Sequence, residues 1–309
     1  VASIEKTMKI SIGFSPCPND TYVFDALVNQ LIDTQGIEWD VFIEDVETLN
    51  EWALEQRLDV TKLSFPALFQ ANGSYRLLNS GAALGKGVGP LLVAKEPYSA
   101  DPELIGQHHI ALPGQHTTAH LLFSMAFPKA TQKKFMVFSA IEEAVLSGQT
   151  QLGVLIHENR FTYADRGLHR IVDLGAYWEQ ETGVPIPLGG IAIKSSLPTE
   201  LGQKIDQLIA NSLQSARKLN TISPFVRSHA QNMEEKVMRQ HIDLYVNDHT
   251  HSLGTTGKKA IRRLFETYER LVDNNKIDYA LDNTLDSTQE RALNRALYNA
   301  SDRFFLDPN

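Results

Sequence analysis

An alternation limits the fold most. From Lys9 to about Ser196, short runs rich in β-branched and aromatic residues are each followed by a segment with helical apolar spacing. Parallel strands need a connection long enough to hold a helix, so this alternation predicts βαβ units and mostly parallel sheets. KISIGFS (9–15), IEWDVFIED (37–45), DVTKLSF (59–65) and PLLVAKE (90–96) read as a first set of strands. HIALP (109–113), MVFSA (136–140) and QLGVLIHE (151–158) read as a second, with helices over 117–127 and 141–146. The turn-rich stretch with Pro97, Asp101, Pro102 and Gly106 marks a crossing, and GGIAIKS (189–195) reads as the return. The expectation is an α/β chain of two lobes joined by a double crossing, with residues 1–95 and 195–309 in the first lobe and 96–194 in the second. Beyond Pro198 the pattern is helical. Ile261, Leu264, Phe265, Tyr268 and Leu271 form one apolar stripe that predicts core packing, and a polar helical tail is expected from about Ile277 to Asn309.

Composition narrows the function classes. The 309 residues carry 29 Lys and Arg against 37 Asp and Glu, a net charge of −8, which argues against a phosphate-backbone binder. No run approaches the roughly 18 apolar residues of a membrane span. The lone Cys17 provides neither an intrachain disulfide nor a multi-thiolate metal site. The N-terminal VASIEKTMK has no apolar core of a secretory signal, and Met8 is a candidate start. A cytoplasmic protein is expected, acting on a small molecule without nucleic acid or membrane, with monomer and homodimer both open.

In open parallel sheets ligands sit beyond the carboxyl ends of strands, so the residues that follow each strand deserve inspection. In SPCPNDT (15–21) two prolines stiffen the turn and Asn19, Asp20 or Thr21 can cap a helix; a rigid turn and a ligand loop both fit. Cys17 there is a nucleophile only if a neighbour activates its thiol, and the sequence offers none. In Thr61–Ser64 a lysine, Lys62, stands inside an apolar strand, where it either lines a pocket or snorkels to solvent. PGQHTTAH (113–120) places Thr117 and Thr118 at a helix start, which is capping chemistry and also a cradle for a carboxylate or phosphate. His116 and His120 have the i, i+4 spacing of a zinc pair, but no third ligand is indicated, and no metal site is expected. In LIHENRF (155–161), His157 follows an apolar strand directly; an imidazole there faces the cleft as a proton acceptor near neutral pH, or serves as a satisfied structural histidine. Arg160 can receive a carboxylate or simply lie on the surface. GAALGKGVGP (81–90) lacks the GxGxxG order and reads as a close-packed or flexible approach to the crossing.

Taken together and in order, SPCPNDT, EDVETLN (44–50), TKLS, the glycine segment, PGQHTTA and IHENRFTY resemble the 1,4-dihydroxy-6-naphthoate synthase family of menaquinone biosynthesis by the futalosine route, over about Lys9 to Leu271. The resemblance implies a type II periplasmic-binding-protein-like fold with a helical C-terminal region. It also implies a carbon–carbon lyase that converts cyclic dehypoxanthine futalosine to 1,4-dihydroxy-6-naphthoate without a cofactor. On the same resemblance His157 is the base that starts cleavage and aromatisation, and Lys62, Leu63, Ser64, Thr118 and Ala119 contact the substrate. Asn19, Asn50, Thr117 and Arg160 are then second-rank candidates for the pocket or its support. Asn159 departs mildly from the family's usual HESRF. The rival is a non-catalytic solute-binding protein for a small carboxylated ligand, which needs the same loops and no base.

Overall fold

The computed structural model describes residues 8–71, 73–230, 234–277 and 305–306. In the first third lie β1 (Met8–Phe14), α1 (Pro18–Val28), β2 (Ile37–Ile43), α2 (Val46–Leu54), β3 (Val60–Ser64), α3 (Phe65–Gln70), β4 (Tyr75–Leu77) and β5 (Ala83–Gly85). Then follow β6 (Leu91–Ala94), α4 (Pro102–Ile105), β7 (Ile110–Leu112), α5 (Thr118–Ala126), β8 (Lys133–Phe135), α6 (Phe138–Leu146), β9 (Leu152–Leu155), α7 (Asn159–Thr162), β10 (His169–Asp173) and α8 (Leu174–Thr182). The last described stretch holds β11 (Ile186–Lys194), α9 (Thr199–Leu219), α10 (Pro224–His229), α11 (Glu235–Tyr245), α12 (Asp248–His251) and α13 (Gly254–Asp273). The tail expected beyond Ile277 lies outside the described residues except for Phe305 and Leu306, where Phe305 bridges to Leu77.

The strands form two sheets. The first is six-stranded in the order β2-β1-β3-β11-β4, with β5 also on β11; the second is five-stranded in the order β10-β6-β9-β7-β8. β1 runs parallel to β2 and β3, and β7 runs parallel to β8 and β9. Only β11 in the first sheet and β6 in the second oppose their neighbours. These are the two strands that arrive from the other sheet. A strand entering by a crossing comes in at the end where its neighbours finish, so it runs against them.

This moves both expected lobe boundaries. The strand around Leu91 belongs to the second sheet, not to the lobe ending at residue 95, and Ile186–Lys194 belongs to the first sheet, not to 96–194. The crossings therefore fall between β5 and β6 and between α8 and β11. The turn-rich Pro97–Gly106 stretch lies wholly on the second-sheet side. MVFSA is not a strand either: β8 ends at Phe135, and a helix starts at Phe138 behind an extended Val137. The glycine segment is tightly packed. A Cβ on Gly89 would meet the Gly175 Cα at 2.2 Å, so the two backbones touch where the chain changes sheet.

Helical spacing governs how the C-terminal region is placed. On α9, Ile205, Leu208, Ile209 and Leu213 lie on one buried face, and Ser212 on the same face accepts from Leu27 N at 3.1 Å and donates to Val23 O at 2.6 Å. These bonds seat α9 against α1. The α13 stripe is buried as the periodicity predicts, but it does more than return to the first sheet: it contacts α3 and β11 and also α5 of the second. Phe265 packs edge-on against Phe69 at 5.0 Å between ring centres. One hydrophobic core accordingly runs from Leu63 and Phe65 through Ile261 and Leu264 to Leu112 and Leu122.

Within the first sheet, a charge sits inside the apolar layer. Lys62 projects from fully buried β3, and its Nζ lies 2.9 Å from Asp20 Oδ1 on α1, both side chains under a tenth exposed. Asp20 also accepts from Ser15 Oγ at 2.7 Å, Ser15 N at 3.3 Å and Asn19 Nδ2 at 2.7 Å. Lys62 does not snorkel; it is paired. Removing one partner of a buried pair strands the other charge, so Asp20→Asn is expected to lower unfolding free energy by about 3–5 kcal/mol. Asp20→Asn with Lys62→Met should recover much of the loss. Urea unfolding of both variants checks this, and equal losses would show that the stranded charge is not the cause.

Candidate active site

Four loops meet between the sheets. Each leaves the carboxyl end of a strand: Ser15–Asp20 after β1, Lys62–Ser64 at the end of β3, Pro113–Thr118 after β7, and Ile156–Glu158 after β9. Their side chains line one cavity, and Ser15, Asn19, Asp20, Lys62, Leu63, Ser64, Thr117, Thr118, Ala119 and His157 all face it. Leu188 and Gly189 of β11, Tyr245 of α11 and the apolar Val46, Ala83 and Val88 complete the wall. A mostly apolar cleft with a few convergent polar groups is the usual form of a small-molecule site.

His157 stands on a backbone that few side chains adopt, with φ +56. Its ring packs against Phe138, with centroids 4.6 Å apart, and near-parallel to His241 at 6.1 Å. The buried Nε2 has no hydrogen-bond partner among the described residues. Burial is the main reason its pKa falls to about 4; the Asp20 charge opposes the fall, and the Lys62 charge adds to it by less. At neutral pH the ring is therefore uncharged and holds a free lone pair.

Behind it lies a polar layer in which Asn19 is an expected residue and His241 is not. Asn19 donates its amide N–H to Asp20, which leaves its Oδ1 facing His241 Nε2 at 2.8 Å. An acceptor at that distance requires the proton of His241 to sit on Nε2, leaving Nδ1 bare. Glu158 Oε2 lies 3.8 Å from that Nδ1, and burial holds the Glu158 carboxyl above the usual range. His241 and Tyr245 come from α11 at i, i+4 among Val237, Met238 and Ile242, a spacing that signals only a buried helix face.

The other expected residues fall into two groups. Thr117 caps α5 by accepting from His120 N at 3.2 Å, and Thr118 spends its hydroxyl proton on Leu188 O at 2.6 Å. Both line the cavity, so capping and cleft roles coincide. Asn50 and Arg160 do not line it. Asn50 holds Ser64 from behind, accepting from its N at 2.8 Å and donating to its Oγ at 3.2 Å. Arg160 binds the Gly89 carbonyl and Asp173 at 3.1 Å, so its guanidinium braces the crossing and is not open to receive a substrate carboxylate.

The metal and nucleophile readings meet specific obstacles. His116 turns its Nδ1 to Gln70 at 2.8 Å, while His120 bonds Gln115 O at 2.7 Å and Lys133 at 3.1 Å, with its pKa lowered to about 3 chiefly by burial; both rings already hold protein partners. Cys17, His157 and Glu158 have donor atoms within 4.8 Å of one another. Burial, however, raises the Cys17 thiol well above its ordinary value, and the Glu158 charge raises it further, which favours the protonated forms. A thiol so held is a poor nucleophile.

The chain matches the menaquinone biosynthesis family over residues 10–270. It is 41% identical over 261 residues to a 1,4-dihydroxy-6-naphthoate synthase of Thermus thermophilus, covering 84% of this chain and 94% of that one. The enzyme of the same name from Streptomyces coelicolor is 40% identical over 261 residues, covering 82% and 91%. A solved protein from Archaeoglobus fulgidus superposes with a TM-score of 0.78 at 32% identity, over 85% of this chain and 97% of that one. The periplasmic aliphatic sulphonate binding protein of Escherichia coli superposes at 0.62 with 11% identity, over 89% and 90%, a likeness of fold alone. With a matched family region that takes in every loop of the cavity and curated relatives this similar along most of its length, the chain belongs to the menaquinone biosynthesis family.

Proposed function

We propose that the protein is a 1,4-dihydroxy-6-naphthoate synthase: a carbon–carbon lyase acting on cyclic dehypoxanthine futalosine, with His157 as the general base. The observation that carries the reading is the His157 imidazole, half-buried and neutral, which lines the cavity and whose Nε2 has no hydrogen-bond partner among the described residues. Lys62 and Ser64 on one side and the Thr118–Ala119 helix start on the other offer cationic and N–H groups to a substrate carboxylate or hydroxyl. Leu63 supplies apolar wall for the ring.

The chemistry follows from the electrostatics. Proton removal by Nε2 makes an imidazolium beside Lys62, which is costly in the empty cleft. A substrate carboxylate near Lys62 offsets that cation, and Asp20 already does so in part, so binding raises the basicity of His157 when it is needed. The transferred proton then resides on an imidazolium stacked against neutral His241. Closure of the two sheets on the substrate excludes water and fixes the base against the reacting carbon. The protein is expected to act on a free small molecule; no helix among the described residues is long and apolar enough to cross a membrane.

Incubating the purified protein with the cyclic nucleoside-derived substrate should release the naphthoate, detected by mass. Ligand binding without product would instead leave a solute-binding protein of this fold. His157→Asn is expected to bind substrate with little change while turnover falls by about 10²–10⁴; unchanged turnover would remove His157 from the mechanism. The pH profile is diagnostic too. Since His157 acts only when neutral and its free-enzyme pKa is about 4, kcat/KM should hold steady as pH falls through 6.5 and drop only on approach to 4, in samples shown by circular dichroism to remain folded. A midpoint near 6.5 would place the base in a solvated setting.

A further inference from the structure

Resting on the synthase reading, we propose that Glu47 is a positioning residue: its carboxyl group clasps the Gly114–His116 turn of the second sheet to the first and thereby sets how firmly the closed cleft holds substrate. Glu47 is the second residue of α2, which packs on β3, while the turn it grips follows β7. Its Oε1 accepts from His116 N at 2.8 Å, and the Gln115 backbone N–H also donates to the carboxyl. Its Oε2 accepts from Asn50 Nδ2 at 2.9 Å, the same amide that holds Ser64. A single side chain thus ties Ser64 on one wall to the turn that presents Thr117 and Thr118 on the other.

The turn is shaped around this carboxyl. Gly114 has φ +131, and a Cβ built there would lie 2.4 Å from Glu47 Cδ, so both torsion and space demand glycine. Two further bonds draw the same segment toward the first sheet: His116 Nδ1 to Gln70 Oε1 at 2.8 Å and Thr118 Oγ1 to Leu188 O at 2.6 Å. Glu47 is the member of this set that supplies an acceptor to backbone N–H groups no side-chain change in the turn can remove. Burial raises its pKa to about 7, against the hydrogen bonds from Asn50 and His116, so near neutrality the group is neutral part of the time and its grip does not require the charge.

Three variants separate reach from charge. Glu47→Gln keeps the length and one acceptor oxygen for the turn but sets its NH2 against Asn50 Nδ2; Glu47→Asp keeps the charge but withdraws it by one methylene; Glu47→Ala removes both. Because a closed state less populated lowers apparent affinity in proportion, Glu47→Ala should raise KM about tenfold or more while kcat changes less than about twofold. Glu47→Asp should follow it, and Glu47→Gln, which keeps the oxygen that grips the turn, should raise KM less than either. An unchanged KM in Glu47→Ala, or a wild-type Glu47→Asp beside an impaired Glu47→Gln, would overturn the clasp. If Glu47→Ala does not fold, the Gln and Asp comparison decides. Solution scattering gives an answer independent of turnover: the ligand-free Ala variant should have a larger radius of gyration than the wild type, and equal radii would reject the proposal. A wild type that made no naphthoate would defeat the synthase reading and leave the scattering test standing.

Discussion

The Lys62–Asp20 ion pair, sealed between α1 and β3, is the interaction on which the site depends. Neither charge is tolerable there alone, and each has a second task. Asp20 gathers Ser15 and Asn19, and Asn19 in turn dictates which nitrogen of His241 carries its proton. Lys62 and Asp20 act on His157 with opposite sign beneath the larger effect of burial, and a bound anion would add to the side of Asp20. Strand, helix start and imidazole are electrically one unit although they come from three separate stretches of chain and both sheets.

The two crossings explain why these groups meet. Because β6 and β11 enter opposite sheets, the carboxyl ends of β1 and β3 face those of β7 and β9, and polar loops from both sides are desolvated together. The hydrophobic core continues through α3, α5 and α13 on one flank and joins the two sheets there. On the other flank the contact between Gly89 and Gly175, braced by Arg160, admits no side chain between the backbones.

Much of this was legible in the sequence, for identifiable reasons. Short β-branched runs reveal β1, β2, β3, β7 and β9, and a helical stripe reveals α13, because burial of each element leaves an apolar pattern in its own residues. Loop residues with chemistry stand out where a strand ends without polar padding, as at His157, or where a lysine interrupts an apolar run, as at Lys62. Sheet membership was not legible: Leu91–Ala94 and Ile186–Lys194 look like any buried strand, and only long-range pairing assigns them. Arg160 carries no local sign that Asp173 and Gly89 occupy it. His241 reads as one more buried position on α11, since its importance arises from Asn19, more than two hundred residues earlier. The depressed basicity of His157 is likewise a property of the assembled cleft.

The left-handed backbone at His157 has an evolutionary corollary. Asparagine and aspartate inhabit that torsional region readily, and each is one nucleotide change from a histidine codon. A descendant that keeps the loop's shape without the imidazole is thus a single mutation away, whereas most bulkier replacements would distort the loop that carries them. Loss of the imidazole would leave the architecture, and with it the cavity, in place.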